Sequence, residues 1–90
     1  MSHFVYANGK MHAEEVPLER IAAEFGTPVY VYSSASLTEN FLSYANACRA
    51  NGRGEQGALV CYSVKSNSNL AVLSLLGKLG SGFDIVSAGE

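Results

Sequence analysis

Gly57-Ala58-Leu59-Val60-Cys61-Tyr62-Ser63-Val64-Lys65-Ser66-Asn67-Ser68-Asn69 is the stretch on which the fold turns. Residues 57–64 form a short apolar run with aliphatic and aromatic members and read as a buried strand. Lys65 follows at once, and then a polar loop. A lysine at the carboxyl end of a strand points to the place where α/β enzymes do chemistry. Desolvation there lowers an amine's pKa and frees its lone pair to attack a carbonyl, so Lys65 is a candidate Schiff-base nucleophile. The competing reading is a lysine that merely ends a strand and carries its charge to water on a flexible stem.

Past this stretch, Ser68 or Asn69 caps a helix with Leu70, Leu73, Leu76 and Leu79 on one face and Val72 and Leu75 widening it. Gly80 and Gly82 end that helix, and Phe83-Asp84-Ile85-Val86 reads as the next strand. On the amino-terminal side, the serines at 33, 34 and 36 offer caps for a helix carrying Leu37, Phe41, Tyr44, Ala45 and Cys48. That helix ends before the turn signal Asn51-Gly52-Arg53-Gly54, and Pro28-Val29-Tyr30-Val31-Tyr32 precedes it as a strand. Still earlier, Pro17 suits the first turn of a helix with Leu18, Ile21, Ala22 and Phe25 at helical spacing and Gly26 as its C-terminal cap. Phe4-Val5-Tyr6 and Lys10-Met11-His12-Ala13 flank Asn8-Gly9, a strong hairpin signal.

From residue 27 onward the order is β-α-β-α-β, which implies parallel pairing through crossover helices. A three-stranded parallel sheet leaves an edge and much sheet surface uncovered, whereas parallel sheets occur inside larger proteins with both faces buried. The expectation is therefore that these 90 residues open a longer α/β protein. In such a unit the strand holding Asp84 neighbours the strand ending at Lys65. An acid there favours the ammonium form and can hold the lysine in place, against the plainer reading of an aspartate bonded to backbone amides at a strand end. Glu90 is a second acid in the loop beyond.

Composition is globular and excludes several classes. The chain is 48% hydrophobic and 16% charged, with net charge −2, and its six basic residues are scattered singly. No nucleic-acid or membrane surface is indicated. The start lacks the pattern of a secretory signal and no apolar run approaches the roughly 20 residues that span a bilayer, so a cytoplasmic location is expected. Cys48 and Cys61 form no metal-spaced group and read as small core residues; His3 and His12 have no partner at metal spacing. No metal site is expected, and no phosphate-binding glycine motif occurs.

Tyr62-Ser63-Val64-Lys65-Ser66-Asn67-Ser68-Asn69 resembles the Tyr-Ala-Val-Lys-Ala-Asn block of the pyridoxal-phosphate decarboxylases built on an alanine-racemase-like barrel. Gly82-Phe83-Asp84-Ile85-Val86-Ser87-Ala88-Gly89-Glu90 resembles a second block of that family, usually Gly-Phe-Asp-Val-Val-Ser-Gly-Gly-Glu. Gly26-Thr27-Pro28-Val29-Tyr30-Val31-Tyr32-Ser33, preceded by Glu15-Val16-Pro17-Leu18, looks like its diaminopimelate decarboxylase branch rather than the ornithine or arginine branch. Ser63 and Ser66 depart from the usual alanines, but both are small enough to keep close approach of a cofactor.

The resemblance implies an α/β fold: the amino-terminal portion of a (β/α)8 barrel, preceded by a short strand hairpin that belongs to a C-terminal β-domain. Residues 1–25 would be the hairpin and linking helix, and residues 26–90 the first three barrel strands. It implies pyridoxal 5′-phosphate held on Lys65, with Asp84 nearby as a second catalytic residue and Glu90 as a weaker carry-over. It implies decarboxylation of meso-2,6-diaminopimelate to L-lysine and carbon dioxide, in a homodimer with shared active sites. The family's glycine-rich phosphate loop, its acid for the pyridine nitrogen and its substrate-binding arginines are not among these residues. Three alternatives stay open: the same chemistry on ornithine, arginine or carboxynorspermidine, a cofactor-binding barrel without catalysis, and a small interaction domain with no cofactor.

Overall fold

A computed structural model describes residues 2–51 and 59–90. The fold is mixed α/β and divides into two units, Met1–Leu37 and Thr38–Glu90.

The first unit is a three-stranded antiparallel sheet in the order β1 (Phe4–Ala7), β2 (Lys10–Ala13), β3 (Val16–Pro17), followed by α1 (Leu18–Phe25). Ala7 pairs with Lys10, which leaves Asn8 and Gly9 as a two-residue turn with φ of 54° and 77°. Tight hairpins need positive φ at both centres, and Asn-Gly accepts it at low cost. The third strand was not expected. It forms because Glu14, at φ 56°, turns the chain back so that Val16 pairs with Ala13. Pro17 consequently caps α1 from the strand rather than sitting in the helix's first turn. It tolerates that edge position because it needs no ladder donor of its own. α1 packs on β2 and β3 and ends at Gly26, whose N–H donates to the Ala22 carbonyl at 2.8 Å.

Residues 28–32 do not form the expected strand. Among the described residues nothing pairs with them, and a strand exists only through its ladder. Thr27-Pro28 is a cis peptide. Helix α2 (Ser34–Asn51) follows, and the expected turn at residues 52–54 lies outside the described residues.

In the second unit, β4 (Cys61–Ser63) and β5 (Gly82–Asp84) run parallel and are connected by α3 (Leu70–Lys78). Both strands are shorter than expected. β4 gives way after Ser63 to a single 3-10 turn, Val64–Ser66, and the start of the expected strand, residues 57 and 58, lies outside the described residues. β5 stops at Asp84, where its partner strand also stops, so Ile85 and Val86 have no ladder and stand exposed.

α3 begins at Asn69, whose side chain accepts from Ala71 N–H at 2.9 Å. It ends with two paired bonds: Ser81 N–H to the Leu76 carbonyl and Gly80 N–H to the Gly77 carbonyl, with Gly80 at φ +99°. That arrangement is the Schellman cap, and it places a glycine where a side chain would be strained. Val72 and Leu76 are the buried residues of α3, whereas Leu70 is exposed. The reason is angular: Leu70 lies about 160° round the axis from Val72. Cys61 is exposed, not core, with its sulfur turned toward Gly82 on the neighbouring strand. Among the described residues, no group of His, Cys, Asp and Glu is placed to hold a metal, and no helix is long and apolar enough to cross a membrane.

Candidate active site

The parallel register aligns Cys61 with Gly82, Tyr62 with Phe83 and Ser63 with Asp84. Asp84 thus closes β5 level with the last residue of β4, and Lys65 sits two residues beyond, in the 3-10 turn. Both sequence-predicted residues come to the same carboxyl end of the same strand pair. This is the end at which α/β folds assemble their chemistry. They are brought to one rim, and among the described residues no ion pair joins them.

The turn that carries Lys65 is held from three sides. Val64 is 2% exposed and anchors it inward. The Asn67 N–H donates to the Val64 carbonyl at 3.2 Å, the i to i+3 bond that closes the 3-10 turn. The Tyr62 hydroxyl reaches across the turn and donates to the Asn67 carbonyl at 2.8 Å. Asn67 then accepts from Asn69 N–H at 3.0 Å, and Asn69 caps α3, so the turn is tied to the helix that follows. Ser63, which precedes the turn, and Ser66, which ends it, are small residues.

Lys65 itself is exposed among these residues. The reason is that the turn projects beyond the end of the two-stranded sheet, where no described element covers it. Its amine takes part in no hydrogen bond or ion pair among the described residues. An amine so placed is open to an aldehyde. Glu90 stays in its own loop, its Oε2 accepting from Val86 N–H at 3.3 Å and from the Ser87 hydroxyl at 3.5 Å.

A cavity of about 620 Å³ in the first unit is lined by residues including His3, Glu14, Glu15, Ile21 and Tyr32. It contains no amine and is not the site. Its rim does contain a contact that sequence reasoning missed. Glu14 Oε2 accepts from the Ser33 hydroxyl at 2.7 Å and from Ala35 N–H at 3.2 Å, while Ser33 Oγ accepts from Ser36 N–H at 3.1 Å. A carboxylate at a helix N-terminus meets unsatisfied donors, and these bonds lower the Glu14 pKa, the Ser33 hydroxyl contributing most. The available signal was negative. Ser33 caps α2, but the third helical position is Ser36 rather than the Glu of a capping box, so the carboxylate comes from elsewhere.

Residues 34–90 match the family described as pyridoxal-dependent decarboxylase, pyridoxal binding domain. The chain belongs to the pyridoxal-dependent decarboxylase family. It is 46% identical over its whole length to the diaminopimelate decarboxylase of Haemophilus influenzae, of which it covers 20%. A crystal structure of an Aquifex aeolicus protein superposes with a TM-score of 0.86 at 44% identity over 97% of this chain and 20% of that one. Diaminopimelate decarboxylase from M. jannaschii, crystallised with L-lysine, superposes with a TM-score of 0.85 at 33% identity over 96% of this chain and 20% of that one. The chain spans about a fifth of the length of the curated relatives it matches.

Proposed function

We propose that this chain is the opening segment of a pyridoxal-phosphate-dependent decarboxylase that converts meso-2,6-diaminopimelate to L-lysine and carbon dioxide. The observation that carries the proposal is Lys65. Within the matched family region, an exposed amine stands on a fixed turn at the carboxyl end of a parallel strand, with Asp84 on the same rim. The identity of the whole chain to proteins named for that reaction supports the substrate. The architecture we assign is a (β/α)8 barrel, with residues 26–90 contributing its first three strands. Residues 1–25 serve as a hairpin and linker to a C-terminal β-domain. A cytoplasmic homodimer with shared active sites belongs to the same reading, carried over from the family resemblance.

The residues present suit the cofactor. Lys65 would hold its aldehyde, and the small side chains of Ser63 and Ser66 leave room on either side. When bound, pyridoxal phosphate supplies an electron sink for the pair left behind as a carboxylate departs. Lys65 would be the residue that holds the group between turnovers, its flexible side chain presenting the amine at the strand end. Asp84 closes the neighbouring strand at the same rim, level with Ser63, and is the acid we assign to this site.

The test is spectroscopic and chemical. In the full-length protein, borohydride reduction and peptide mapping should place a pyridoxyl group on Lys65, and carbon dioxide should be released from meso-diaminopimelate in preference to ornithine or arginine. An adduct on another residue removes the site assignment. Equal or better turnover of ornithine removes the substrate assignment and leaves the rest standing.

A further inference from the structure

We infer that Tyr62 is a positioning residue for Lys65, acting through the Asn67 carbonyl. The inference rests on the reading of Lys65 as the cofactor lysine and adds a residue to it. Lys65 is a long side chain on a turn of three residues, and such a turn is poorly held by its own hydrogen bonding. The bond that closes it, Asn67 N–H to the Val64 carbonyl, is 3.2 Å long. What closes the turn is the side chain entering it: the Tyr62 hydroxyl spans five residues to the carbonyl by which the chain leaves, at the shorter distance of 2.8 Å. Tyr62 is in turn fixed by its place in β4, paired with Phe83 of β5.

The entry and exit of the lysine turn are therefore tied to the sheet by one phenol. Without that hydroxyl the Asn67 carbonyl loses this partner, and the exit keeps the 3.2 Å bond and the Asn69 cap. The backbone of Lys65 then samples a wider range, and its amine with it. A misplacement of about 1 Å at a reacting group can cost up to about 10²-fold in rate.

The experiment uses Tyr62→Phe in the full-length protein, which keeps the ring and removes the hydroxyl. We expect kcat, and the rate at which protein stripped of cofactor takes up pyridoxal phosphate, each to fall about tenfold, a partial share of the loss that misplacement can cause. KM for the diamino acid should change by less than about twofold, because binding contacts common to ground and transition states are untouched. Amide exchange at Asn67 should accelerate while the melting temperature stays within a few degrees. This pattern separates positioning from general loss of structure, which would move melting and exchange throughout the protein. Wild-type kcat and uptake in the variant, with the adduct still on Lys65, overturn the inference and leave the functional reading intact. A fall in kcat that tracks a large drop in melting temperature also overturns it. An adduct elsewhere in the wild type overturns both.

Discussion

Lys65 owes its placement to its neighbours more than to its own contacts. Val64 is buried, a burial that contributes about 1.5–3 kcal/mol, and it pins the turn at one side while Tyr62 closes it at the other. Replacing Lys65 by Ala therefore removes an exposed side chain with no described partner. In the full-length protein the expected result is loss of the visible chromophore and of turnover by at least about 10³-fold, a loss on the scale of removing a covalent catalyst. The melting temperature of the cofactor-free protein should be unchanged, read by absorbance, activity and calorimetry together. A second residue-level prediction concerns Gly82. A Cβ there would lie 2.8 Å from Cys61 Sγ, so that something must shift, and 3.1 Å from Leu59 Cδ2, a tight contact in which the leucine must give slightly. Gly82→Ala should destabilise by about 1–3 kcal/mol through overpacking. Cys61→Ala in the same background should recover part of that loss, and a denaturant-midpoint double-mutant cycle reads the coupling.

At the scale of elements, caps decide where helices begin and end. Gly80 holds φ +99° in the cap of α3, so Gly80→Ala should cost about 1–2 kcal/mol, measured as a fall in urea midpoint. At α2 the cap is remote. Glu14 has its folded-state pKa lowered below the ordinary 4.5, chiefly by the Ser33 hydroxyl. Its contribution is therefore present above that value and disappears as pH falls through the lower, folded one. The melting difference between wild type and Glu14→Gln should accordingly persist at neutral pH and shrink below about pH 4.5. These two caps also mark how far the elements could be read in advance. The Asn8-Gly9 turn, α1 with Gly26, and α3 with Asn69 and its glycine end depend on residues within one turn of each other, and pattern alone locates them. The Glu14–Ser33 contact joins residues 19 apart, and residues 28–32 need a partner strand that local pattern does not name. The strand ends near Lys65 were misjudged for the same reason: β4 and β5 stop where their pairing stops, although the apolar run in the sequence continues.

For the whole molecule, the buried apolar set among the described residues is small: Ala13, Val64, Val72 and Leu76. Against it stand large exposed side chains such as Tyr30 at 87% and Leu70 at 82%. Apolar burial on that scale does not offset the roughly 1–2 kcal/mol of backbone entropy per ordered residue. The isolated 90-residue segment should accordingly show no cooperative urea transition by circular dichroism and no lysine formation. A sharp transition would mean that a larger core forms than the one seen here. All the substitutions above, at Lys65, Gly82, Cys61, Gly80 and Glu14, are therefore to be measured in the full-length protein. One feature of the second unit nevertheless requires little of the rest: the bonds linking residues 62, 64, 67, 69 and 71 each span five positions or fewer. Contacts so near along the chain close in microseconds or less, well ahead of pairings between distant strands. On a nascent chain leaving the ribosome, the loop that presents the lysine can take shape early, leaving the later stages of synthesis to enclose it.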